Sequence, residues 1–145
     1  MGVTHDQAVC LRHREWSETS QTVLLFTQRH GIVRGLAKGS RRERAAFSGG
    51  FELLQLGEVG LILKPDSDLA LLTEWDLLNP HSAIRLDHRA FVLALVAAEL
   101  TASVLAVHDP HPEIFDALLT LLDAASGEPA ESPHALAVYL AGLLR

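Results

Sequence analysis

The sequence holds a single cysteine, Cys10, so no intramolecular disulfide can form, and no Cys/His grouping supplies the four ligands that a structural zinc site requires. On a strand, that cysteine is expected to act as a small buried hydrophobe, and its usage fits a reducing cytoplasm. The amino-terminal stretch MGVTHDQAVCLRHREW has no apolar run behind a basic start and so lacks the pattern of a secretory signal. There is no internal repeat and no low-complexity segment. One apolar run, AFVLALVAAELTASVLAV at 90–107, approaches bilayer length, but it contains Glu99. A central carboxylate costs roughly 2.5 to 3.5 kcal/mol in a membrane, which makes this run a buried core helix and not a span. Signatures of catalysis are missing as well. No nucleophile elbow occurs, SETS at 17–20 has the composition of a turn, and GLAKGS at 35–40 places its lysine before the glycine with no long helix behind it, unlike a P-loop. The eight histidines are densest at HDPHP, 108–112, where Asp109 serves equally well as a turn residue. The chain is therefore expected to be no enzyme and to carry neither metal nor cofactor.

What is present is enough apolar material for one core or two small ones: 145 residues, 48% hydrophobic and 21% charged. The texture changes at NPHSA, 79–83. Before it, short apolar runs with turn chemistry between them predict five strands: 7–14, 22–27, 32–39, 51–63 and 69–78. Alternation on the third puts Ile32, Arg34, Leu36 and Lys38 on one face, and Gly57 and Gly60 mark where the fourth can bend or bulge. Five strands without a convincing helix suggest a small barrel such as an OB-fold. After Pro80 the period becomes helical, with helices predicted at 87–107, from Pro112 to Gly127, and from a cap at Ser132 and Pro133 onward. The expected fold class is α+β by segregation: a barrel domain over 1–80 and an all-α domain over 81–145, the latter ending on apolar positions that want a partner.

Charge is divided along the chain. Residues 1–44 carry eight Arg/Lys against four Asp/Glu, and residues 45–145 carry four against fourteen, within a net charge of -6. RGLAKGSRRER, 34–44, is the centre of the positive part. Lys38, Arg41, Arg42 and Arg44 fall between the third and fourth strands, and Arg34 shares a strand face with Lys38. Glycines at 35, 39, 49 and 50 are expected to let that loop move and approach a ligand. Phosphate backbones reward such an arrangement because each neutralised phosphate releases condensed counterions. Arg12, Arg14 and Arg29 can extend the field, and Trp16 or Phe47 could stack on bases.

The run AVCLRHREWSETSQTVLLFTQRHGIVRGLAKGSRR, 8–42, resembles the amino-terminal signature of the bacterial RecO family, through an xVLRxR-like first strand, ExS in the first turn, LFTxxxG across the second strand and GxAKGxRR across the third. LLTEWDLLNPH, 71–81, is similar to that family's exit from barrel to helices. The resemblance implies an OB-fold followed by a helical domain. It also implies a recombination mediator in the RecF pathway that binds single- and double-stranded DNA, anneals strands, and works with RecR, single-strand-binding protein and RecA in the bacterial cytoplasm near the nucleoid. The family's basic third-strand positions fall on Arg34 and Lys38, and its basic loop on Arg41, Arg42 and Arg44. RecO proteins are usually longer and commonly carry a zinc module of paired cysteines that this sequence lacks, so the helical part is expected to be incomplete. A rival expectation is an adaptor whose basic loop meets an acidic protein instead of DNA, and Arg41 and Arg42 are the residues whose loss should separate the two through salt dependence.

Overall fold

The computed structural model describes residues 2–42, 46–127 and 132–145. Five strands, β1 (Thr4–Glu15), β2 (Gln21–Thr27), β3 (Gly31–Ala37), β4 (Leu56–Ile62) and β5 (Leu69–Asn79), close into a barrel in the order β1-β2-β3-β5-β4, with β4 returning to β1. All neighbours are antiparallel except β3 and β5, which pair in parallel through Arg34–Leu36 and Leu69–Leu71. This is the five-stranded OB-fold arrangement.

Alternation along the strands, reset on β5 by the register shift between Leu72 and Glu74, sends Ala8, Cys10, Val23, Leu25, Ala37, Val59, Leu61, Leu72 and Trp75 into the barrel, where Phe47 and Phe51 join them from the β3–β4 connection. The large side chains dictate where glycine must stand. A Cβ on Gly57 would lie 2.7 Å from the Trp75 ring, and one on Gly35 would lie 2.6 Å from the Leu72 side chain. Gly35 is thus a packing glycine facing the interior, which corrects its expected part in loop movement. Gly57 and Gly60 coincide with register shifts between β4 and β5, as expected of a bent barrel strand.

β4 begins at Leu56, later than the expected 51. Phe51 and Leu54 are buried in different cores, one inside the barrel and one against the helices, and Leu54 turns through φ 68° to reach its side. That left-handed turn at Leu54 breaks the extended backbone a strand needs, so the chain joins β1 there only through Cys10, which exchanges hydrogen bonds with Gln55 and Leu54.

Four helices follow: α1 (Ser82–Leu86), α2 (His88–Val104), α3 (Pro112–Ala125) and α4 (Ser132–Leu143). They pack on the outer barrel face, where Val9, Leu11, Phe26 and Ile32 form a second core with Ile84, Phe115, Leu118, Leu122 and Tyr139. Phe26 and Phe115 meet edge to face with ring centroids 5.5 Å apart. α2 lays a stripe of Ala90, Ala94, Ala97, Ala98 and Thr101 against its neighbours, small residues that allow close approach. Asp87 caps it, accepting a hydrogen bond from Ala90 N at 3.0 Å. The helix stops at Val104 and not at the expected 107. β5 covers β3 only from Arg34, so the backbone of Ile32 is open, and it captures Val107 in a parallel bridge and His108 N in a 2.9 Å hydrogen bond. Gly31, at φ +69°, makes room there: a Cβ would stand 2.5 Å from the carbonyl oxygen of Asp109. Among the described residues no helix is long and apolar enough to cross a membrane.

Candidate nucleic-acid interface

Strict alternation along β1 would put Ala8, Cys10, Arg12 and Arg14 on one face, driving both arginines into the barrel. A β-bulge prevents it. Cys10 pairs with the inward Leu25, and the next pair is Arg12 with the half-buried, outward Leu24, so Leu11 is the additional residue. Leu11 is buried under the helices, and both arginines emerge on the outer face. The ladder then aligns Arg12, Leu24 and Arg34 in one row and Arg14, Thr22 and Leu36 in the next. On β3 the expected alternation holds: Arg34 is exposed and Leu36 half-buried, whereas Val33, Gly35 and Ala37 are buried; Lys38, just beyond the strand, is exposed.

The basic loop is tied to the end of this face. Gln21, fully buried, accepts hydrogen bonds at Oε1 from Phe51 N and the Ser40 hydroxyl, both at 2.9 Å, and donates from Nε2 to Phe51 O at 3.1 Å. Gly39 N donates to Ser20 Oγ at 3.0 Å, and Arg41 N donates to Thr19 O at 2.9 Å. The β1–β2 turn and the basic loop therefore sit side by side, with Trp16, 68% exposed, on that turn. Within the loop, Gly39, Ser40 and Arg41 are tied to the β1–β2 turn and to Gln21.

The cations divide into two kinds. Arg41 is locked between Glu15 and Glu52, at 3.0 and 3.1 Å. Partial burial disfavours its charge, but the two carboxylate hydrogen bonds outweigh it and raise its pKa. Arg12 donates from Nε and Nη2 to the two carboxylate oxygens of Glu99 on α2, at 3.1 and 2.9 Å. That pair raises the arginine pKa and holds the Glu99 carboxyl below its ordinary range. Arg14, Arg34, Lys38 and Arg42 are exposed and form no ion pair with any described residue. Arg44 lies outside the described residues.

Two further expectations are corrected. Phe47 is 5% exposed and packs on Phe51, itself stacked 4.7 Å from Trp75, so it anchors the loop and offers no platform for a base. Arg29 lies on the β2–β3 turn, at the barrel end away from the loop, where it contacts the buried Asp6 and the carbonyl of His5. It cannot extend the same field.

Beside the basic face runs a groove of about 820 Å³, walled by β1–β3 on one side and by Leu95, Glu99 and Ala102 of α2 with Leu105 and Val107 on the other. Arg12, Arg14 and Arg34 line it. No group of three or more metal-ligating side chains occurs among the described residues.

Two family models match successive parts of the chain. A family model described as Recombination protein O N terminal matches residues 1–81, and another, Recombination protein O C terminal, matches residues 85–145. A DNA repair protein RecO from Anaeromyxobacter sp. (strain Fw109-5) is 33% identical over 93% of this chain and 52% of its own length. One from Rhodopirellula baltica is 35% identical over 83% of the chain and 45% of its own length. A third, from Geobacter metallireducens, is 33% identical over 91% and 54%. The chain spans about half the length of these curated relatives.

Proposed function

The chain belongs to the RecO family of DNA repair proteins, and from that premise we propose that the outer face of β1–β3 binds the sugar-phosphate backbone of single- and double-stranded DNA. The observation carrying this reading is that β1 and β3, on either side of β2, deliver Arg14 and Arg34 to one exposed face, continued toward the barrel end by Lys38, Arg42 and Trp16. Cations on a sheet meet phosphates without selecting bases, because no side chain is fixed toward a base edge. Trp16 supplies a stacking surface worth about 1 to 3 kcal/mol per base.

No bond is made or broken. Two strands held on one positive face repel each other less, and annealing of complementary strands follows. In the cell, the bacterial cytoplasm, this activity assists the loading of RecA together with RecR and single-strand-binding protein. The face stays positive in an acidic protein because Arg14, Arg34, Lys38 and Arg42 form no ion pair with any described residue.

The test is binding and annealing of labelled complementary oligonucleotides by the folded chain at low salt. Binding that weakens as salt rises, and annealing slowed by Lys38→Glu, are the expected results. No binding at low salt contradicts the reading and leaves an acidic protein segment as the ligand of the basic loop.

A further inference from the structure

Arg12 and Glu99 meet at the groove with the fork of the guanidinium on both oxygens of the carboxylate. That is the geometry in which arginine also takes a phosphate. Glu99 is the carboxylate of α2 that lines the groove, and its side chain has no other bond to a described residue. The two side chains are 50% and 59% exposed. An exposed ion pair of this kind contributes little to stability, so exchanging its anion costs little. Arg12 also stands in the same ladder row as Arg34, across Leu24, which places it within the proposed DNA-binding face and not apart from it.

We propose that Glu99 is a built-in competitor for the DNA phosphate: it holds Arg12 in the free protein, and a single strand entering the groove takes over the guanidinium and releases Glu99 to water. Glu99 thereby sets the affinity of the face, keeping it below what its cations would give alone. This inference rests on the DNA-binding reading above. The apolar lining of the groove, Leu24, Leu95, Leu105 and Val107, accommodates the bases beside the phosphate seat.

The experiment measures anisotropy of a labelled oligothymidylate with the wild-type chain, Glu99→Gln, Arg12→Ala and the double variant, over a salt series. Glu99→Gln should tighten binding about two- to fivefold, the scale of an exposed ion pair. It should also steepen the slope of log affinity against log salt slightly, because in the wild type salt screens the competing ion pair as well as the phosphate contact. Most of the gain must vanish when Arg12 is absent, since the competition is for that residue. An equal gain with or without Arg12 shows plain charge repulsion and overturns the proposal, as does unchanged or weaker binding by Glu99→Gln when the wild type binds. Glu99→Ala, with thermal midpoints for every variant, guards against a fault particular to glutamine. If neither the wild type nor Glu99→Gln binds, the DNA-binding reading itself falls.

Discussion

Arg41 and Arg42 are neighbours in sequence and opposites in what their charges can reach. Arg42 is exposed, whereas Arg41 is held by two carboxylates and braces the loop against Glu15 and Glu52. A charge run in a sequence shows cations but not which of them the fold has already paired, so the loop could be read and its internal strut could not. Gln21 was equally hidden, since its partners, Phe51 and Ser40, are distant in sequence. Gln21→Ala should leave buried groups of Phe51 and Ser40 without partners, at about 1 to 3 kcal/mol each, which urea denaturation will register. Cys10 gives a pH prediction. Burial pushes its thiol up to about 12 from 9.0. The unfolded chain loses that proton first, so the native state has its full advantage below about pH 9 and loses it progressively as pH rises toward 12. Alkylation of the native protein at pH 8 should be slow and should accelerate on unfolding; rapid labelling of the folded chain would show an accessible thiolate.

At the scale of elements, the bulge at Leu11 decides the site. The third strand could be read residue by residue because its alternation is unbroken. The first could not, because period-two logic sends Arg12 and Arg14 inward and nothing in QAVCLRHR marks the additional residue. The short α1 and the early stop of α2 escaped notice for a related reason. Each depends on a tertiary partner, His81 binding the carbonyl of Leu54 and Ile32 binding His108, instead of on local propensity. Glycine placement was clearer: Gly57 was expected at a bend, and the structure adds that the Trp75 ring needs the space. Gly57→Ala should overpack the barrel and cost about 1 to 3 kcal/mol, seen as a lower thermal midpoint with DNA binding retained below it.

The whole molecule joins a barrel and a helical layer through a shared core. The fold class was legible because the periodicity switches once, near Pro80; the docking of one part on the other was not, because Val9, Leu11, Phe26 and Ile32 look like ordinary strand residues. Such sharing predicts one cooperative transition. Phe115→Ala should remove about 3 to 5 kcal/mol, with strand and helix signals in circular dichroism lost together. Separate transitions would mean that the barrel stands without its helices. Charge is also partitioned at this scale: the positive face lies on one side of the barrel, and α2 brings Glu99 to its border. The central claim is that phosphate meets this face at particular cations, and the slope of log affinity against log salt for a single-stranded oligonucleotide tests it most directly. Arg34→Ala and Lys38→Ala should each make the slope shallower by about 0.7, one contact apiece, while Arg29→Ala at the far end leaves it unchanged. Equal slopes for all three variants and the wild type would contradict the account.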